Sequence, residues 1–152
     1  MKSNENKVFM IRVTGVLIEN EKMLIIKQRI HDRTWFLPGG RLETDERLED
    51  GVIREFYEET GLIVKVQKLI SVTDTSFRDP CMIHLLFLVK REGGEIRISE
   101  NADHNPIEDV RFVELDELRQ YGFHDGFIAA AKNGFFNVAS YVKDDQFFDF
   151  ES

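Results

Sequence analysis

Residues 40–62 read GRLETDERLEDGVIREFYEETGL. Leu48, Val52 and Phe56 recur at four-residue intervals with Ile53 beside them, and this spacing predicts a helix over 47–60 with one apolar stripe. Gly61 stands where a left-handed C-cap closes such a helix, and Pro38-Gly39-Gly40 makes a turn ahead of it. At about 100° per residue, Glu55, Glu58 and Glu59 fall on one side, with Glu59 bordering the stripe. The three acids therefore flank the buried face and do not point straight away from it. Gly51 lies on the same side one turn earlier, where it is expected to leave space for a ligand. Arg54 is one turn before Glu58 and is placed to pair with it.

Like charges at i,i+3 and i,i+4 cost only a few tenths of a kcal/mol per pair, so a plain solvated acidic face satisfies the energetics. A divalent cation gives the cluster a chemical reason. Mg2+ takes hard oxygen ligands and bridges carboxylates to phosphates. The charge pattern fits either reading. Residues 22–41 carry Lys22, Lys27, Arg29, Arg33 and Arg41 against Asp32 alone, whereas residues 40–62 carry eight acids against Arg41, Arg47 and Arg54. These runs are either two solvated surfaces or a phosphate-gripping side facing a metal-gripping side.

The formal net charge of -8 argues against broad, charge-driven binding of nucleic acid or anionic membrane. The longest apolar run, 85–89, is strand-sized and far short of a membrane span. The first seven residues are polar and have no apolar core of a secretory signal. The single cysteine, Cys81, excludes an internal disulfide framework and fits a reducing cytoplasm. With 152 residues, the chain is expected to form one domain, a core over about 7–134 followed by an aromatic and acidic tail over 135–152.

β-Branched and apolar runs predict strands over 8–18 and 23–30, joined as a hairpin by the polar turn at 19–22. Trp35-Phe36-Leu37 is a short apolar segment. Further strands are expected over 62–72, 82–90 and 110–113, with Gly93-Gly94 as a turn into a short alternating strand over 95–99. Residues 116–120 and 125–132 read as helices. Strands, a helix, more strands and closing helices make an α/β fold with a mixed sheet covered by helices.

The glycine-to-leucine stretch resembles the Nudix box, G-x5-E-x7-R-E-U-x-E-E-x-G-U with U apolar. Gly40, Glu46, Arg54, Glu55, Glu58, Glu59 and Gly61 match every fixed position, and Phe56 and Leu62 fill the apolar ones. At ordinary residue frequencies, the chance of such a match is on the order of one in a billion per starting position. The lead-in Trp35-Phe36-Leu37-Pro38-Gly39-Gly40 is similar to that of the family as well.

The resemblance implies a Nudix-like α/β/α sandwich, with the box helix and the C-terminal helices packed on a mixed sheet. It implies a MutT-like hydrolase that uses Mg2+ or Mn2+ to cleave a nucleoside diphosphate linked to another moiety. Glu55, Glu58 and Glu59 are then the expected metal ligands, with the Gly39 carbonyl as a further one. Arg54 orients the glutamates and Glu46 supports that network. The general base is Glu58 or a downstream acid, Glu100 or Glu108.

Outside the box, Arg29 resembles a phosphate-contacting position, with an exposed strand-end arginine as the alternative. Trp35 and Phe77 are candidates to stack on a base, against the plainer role of core or loop packing. His84 reads as a core or wall histidine, and His31, His104 and His124 lack a metal-ligand arrangement. The aromatic tail either folds over its own domain or makes a homodimer contact.

Pro80 lies near where ADP-ribose-cleaving relatives carry a marker proline, so ADP-ribose or a nucleotide sugar is the favoured small-molecule nucleotide substrate. Cleavage of (deoxy)nucleoside triphosphates is the alternative. A non-catalytic nucleotide-sensing module is the alternative of another class, and the complete set of box glutamates counts against it.

Overall fold

The computed structural model describes residues 6–29, 35–98, 106–136 and 141–142. Strands β1 (Met10–Glu19) and β2 (Lys22–Gln28) form the expected hairpin, with Ile18 opposite Met23 and Glu19 opposite Lys22. Asn20 and Glu21 both take positive φ in the turn, the backbone twist that two-residue hairpin loops favour. The strand starts at Met10, later than the β-branched pattern predicts, and Val8 is exposed.

β1 then changes partners. From Thr14 back to Arg12 it pairs antiparallel with β4 (Gly39–Arg41), while β2 pairs with β3 (Trp35–Phe36) and β7 (Ile107–Glu114). On its other side β1 runs parallel to β6 (Met82–Gly94), which pairs antiparallel with β5 (Leu62–Thr75). The short β8 (Tyr141–Val142) adds in parallel to the edge of β5 at Val72 and Thr73. The sheet is therefore mixed, as expected.

Helix α1 (Leu48–Thr60) covers one face through Val52 and Phe56, which pack with Val13, Leu17, Leu85 and Phe87. A 3-10 helix (Leu115–Tyr121) and α2 (Asp125–Lys132) cover the other, where Leu118, Phe127 and Phe135 meet Val16, Ile25 and Leu86. Two apolar cores on opposite faces of one sheet make the α/β/α sandwich. Gly15 lets the α1 side close: a Cβ there would lie 2.9 Å from Phe56 Cδ2. No helix among the described residues is long and apolar enough to cross a membrane.

Several expectations need correction. Gly93 and Gly94 do not form a turn; they extend β6 and pair with Ile63 and Leu62. Residues 95–98 are not a strand, and the Arg97 N–H donates to the Thr60 carbonyl at the end of α1. Gly94 has φ of 80°, so the chain leaves the ladder in a left-handed residue. Residues 115–121 wind as a 3-10 helix, tighter than the α-helical reading of 116–120. Leu48 is exposed, so the stripe of α1 is carried by Val52, Phe56 and half-buried Ile53. Ser99, Glu100, His31, His104 and most of the tail lie outside the described residues.

Candidate metal centre and active site

The acids of α1 sit where β1 exchanges β2 for β4. Gly61 caps the helix with φ of 81° and donates its N–H to the Tyr57 carbonyl, as its position predicts. Glu59 is 3% exposed, far more buried than a residue bordering the stripe. Its Oε1 accepts the Gly39 N–H at 2.7 Å, and its Oε2 accepts the Gln28 side-chain amide at 3.4 Å. One carboxylate thus links β4 and β2 across the split in the sheet.

Burial pushes the Glu59 carboxyl up to about 8, and the charge of Glu55 adds to the rise; the Gly39 hydrogen bond, Arg12 and Gln28 oppose it. Burial also raises Glu55, against the Arg54 hydrogen bond and charge, while Glu58 adds to the rise and Arg12 opposes it. The Glu55 carboxylate occupies the place where Gly40 lacks a side chain: a Cβ on Gly40 would lie 2.5 Å from Glu55 Cδ.

Arg54 organises the remaining acids. Its Nε and Nη2 donate to the two oxygens of Glu46 at 2.7 and 3.0 Å, a bidentate fork. Its Nη1 donates to Glu55 Oε1 at 2.9 Å and Glu58 Oε2 at 3.3 Å, and Nη2 reaches the Arg41 carbonyl at 3.2 Å. The Glu46 hydrogen bond holds the guanidinium charged, and the same bond lowers Glu46. Glu46 Oε1 also accepts the Glu43 N–H at 3.1 Å.

The expected space beside Gly51 is filled. A Cβ there would lie 2.8 Å from Leu42 Cδ1 and 3.1 Å from Glu46 Oε1, so this glycine admits the loop before α1 and holds no room for a ligand.

The box residues thus converge, whereas the candidates outside the box do not join them. Arg29 is exposed beyond β2, its N–H donating to the Pro106 carbonyl. Phe77 is exposed in the turn after β5, with the Arg78 guanidinium 5.5 Å from its ring centre. Trp35 packs between partners: Arg111 stands 4.7 Å from its ring centre, Lys27 stands 6.0 Å away, and Tyr121 meets it edge-on at 5.2 Å. Glu108 is exposed on β7, 3.9 Å from Lys27. His84 is buried in β6, as a core histidine should be, and Cys81 is half-buried. Gln28 and Arg12 were not singled out from the sequence. Nothing in the spacing marks them, because both reach the acids through strand pairing.

Among the described residues no three acids, histidines or cysteines already stand together as a metal-ligand set. The donor chemistry nevertheless fits a hard dication. Glu55 and Glu59 are sheltered carboxylates, burial raises the proton affinity of both, and both turn toward the same glycine strand.

A glycine strand feeding a capped helix whose acids are ordered by one arginine, within an α/β/α sandwich, defines a Nudix-type domain. The chain belongs to the Nudix family: the family model described as NUDIX domain matches residues 9–131. Over 117 residues it is 33% identical to an ADP-ribose pyrophosphatase of Methanocaldococcus jannaschii, covering 74% of this chain and 66% of that protein. Over 92 residues it is 39% identical to a MutT-like protein of Streptomyces ambofaciens, covering 60% of this chain and 58% of the relative. The chain thus spans less than two thirds of the length of these relatives. A crystal structure of an ADP-ribose pyrophosphatase from Streptococcus suis shares the fold with a TM-score of 0.66 at 20% identity, covering 88% of this chain and 98% of that one.

Proposed function

We propose that this chain is a divalent-metal-dependent pyrophosphohydrolase. Its substrate is a nucleoside diphosphate joined to a second group, with ADP-ribose or a nucleotide sugar as the favoured class. The observation that carries the reading is the pair of sheltered carboxylates, Glu55 and Glu59, packed against Gly39 and Gly40 and flanked by the Arg54 network. An acidic face evolved only for solubility has no reason to bury Glu59 to 3% exposure. The 33% identity to an ADP-ribose pyrophosphatase supports the substrate class.

In this reading Glu55, Glu58 and Glu59 hold Mg2+ or Mn2+, with the Gly39 carbonyl as a further ligand. When bound, the cation neutralises phosphate charge and lowers the pKa of water at the site. The residues around it do the positioning. Arg54 keeps Glu55 and Glu58 side by side despite their repulsion, and Glu46 locks the guanidinium. Glu58 is the most open of the three, with its side chain 31% exposed against 15% for Glu55. It is the acceptor for the proton of the attacking water. Residues 7–134 are taken as the catalytic domain.

The test is a hydrolysis screen with Mg2+ and Mn2+ over ADP-ribose, nucleotide sugars, dinucleoside polyphosphates and nucleoside triphosphates. Metal-dependent release of a nucleoside monophosphate from the sugar-bearing substrates is expected. No metal-dependent cleavage of any substrate would overturn the reading, and cleavage confined to triphosphates would overturn its substrate class.

A further inference from the structure

The α1-facing row of β2 ends on a polar side chain. Leu24 and Ile26 belong to the core under α1, whereas Met23 and Ile25 belong to the opposite core. Strand alternation puts Gln28 next in the row of Leu24 and Ile26. Ile107, its partner across β7, lies in that same apolar cluster. β7 carries one extra residue, Glu108, between the partners of Lys27 and Gln28, so the ladder is irregular where the row turns polar. Gln28 is 6% exposed. A buried amide is costly unless it is hydrogen-bonded, and an apolar residue would continue the row without that cost. The Gln28 Nε2 reaches across to α1 and donates to Glu59 Oε2.

The box glutamates are held in two ways. Glu46, Glu55 and Glu58 accept from the Arg54 guanidinium, which carries a positive charge. Glu59 accepts from two neutral donors, the Gly39 N–H on one oxygen and the Gln28 amide on the other. A charged donor that fixes a carboxylate also offsets the charge that would attract a cation. Neutral donors fix its plane and leave that charge in place. The Arg12 charge acts on Glu59 and Glu55 alike, so it does not single out either. An ionised carboxylate offers about four acceptor positions on its two oxygens, so both can serve these donors and still face a cation.

We propose that Gln28 is a positioning residue for the metal site: together with the Gly39 N–H, its amide sets the orientation in which Glu59 meets the cation. Gln28 acts through Glu59 and is not itself a ligand. Residues that orient a metal ligand commonly govern affinity, and their loss costs about 10–100-fold. The Gly39 bond comes from backbone and survives any side-chain change, so Gln28 is the adjustable half of the pair. The proposal rests on the pyrophosphohydrolase reading for its metal and adds to it a residue outside the box.

Calorimetric titration of the full chain with Mn2+ alone tests it apart from hydrolysis. Gln28→Met keeps the length and apolar packing and removes the donor. It should bind Mn2+ about tenfold more weakly than wild type. Gln28→Asn keeps an amide but draws it back from Glu59, and should lose about as much. Thermal melts of the metal-free proteins establish that each variant is folded. Adding Gln28→Met to Glu59→Gln should bring little further loss, because the two residues act as a unit. A general loosening of the sheet would instead weaken both backgrounds equally. Unchanged Mn2+ affinity in a folded Gln28 variant overturns the role, as does an equal loss in the two backgrounds. Absence of Mn2+ binding by the wild type overturns the role and the metal reading together. Mn2+ binding that depends on Gln28, in a chain that cleaves no pyrophosphate, overturns the reaction and leaves the role standing.

Discussion

Glu59 is the residue on which the site turns. Its carboxyl holds a proton up to about 8 in the fold, against an ordinary 4.5. The folded state therefore binds more protons than the unfolded chain between these values. By linkage, the contribution of this group to stability is fully present below 4.5 and is lost as pH rises through about 8. In metal-free protein, the melting temperature of the wild type should fall relative to Glu59→Gln as pH rises across that window. Parallel curves for the two proteins would count against it. Protons and cations compete for the same oxygens, so metal affinity should rise over the same window.

Arg54 carries a different kind of prediction. It makes four hydrogen bonds to three carboxylates. Arg54→Ala leaves those acids facing one another and should lower stability by about 1.5–3 kcal/mol, measured by urea denaturation. Arg54→Lys keeps the charge but loses the fork to Glu46. It should restore part of the stability while turnover stays at least about tenfold below wild type, because the glutamates lose their fixed orientation.

At the scale of elements, the two glycines of β4 answer to different neighbours. A Cβ on Gly39 would collide with the Val13 carbonyl and lie 2.6 Å from Thr14 Oγ1, whereas the nearest atoms to one on Gly40 would be those of the Glu55 carboxylate, a side-chain end. Backbone cannot step aside as a side chain can. Gly39→Ala should therefore cost about 1–3 kcal/mol of stability. Gly40→Ala should retain most of the stability and lose activity by displacing Glu55. Comparing denaturation midpoints with initial rates for the two variants checks this, and equal damage by both measures would refute it.

The elements most legible in the sequence were those written in contiguous residues. The helix over 48–60 is set by its own periodicity and by Gly61, and the β1–β2 hairpin by its turn. Gly93-Gly94 misled because glycine also serves at the end of a long strand, where pairing with Leu62 and Ile63 decides its role. Gly51 misled because nothing local shows that Leu42 and Glu46 occupy its empty side.

For the molecule as a whole, divalent cations should stabilise the fold, since they favour the native arrangement of acids that the unfolded chain lacks. At a hundredfold excess over Kd, the gain is about 2.7 kcal/mol, or a rise of a few degrees in melting temperature for a chain of this size. The shift should vanish in the Glu55→Gln, Glu59→Gln double variant. A cation-induced shift that survives in the double variant would place the metal elsewhere.

The family, the fold class and the position of the acids follow from the sequence alone, because all three are carried by short-range spacing: periodic apolar residues, a capping glycine and charges within one helix. Tertiary structure decided what surrounds those acids. Gln28 and Glu59 are 31 residues apart and meet only because β2 and β4 part beside α1. Arg12, His84 and Thr73 share a row only through the register of three strands. Spacing within one segment can aim a carboxylate. Only the packing of distant strands can bury it, set its proton affinity and place a polar floor beside it.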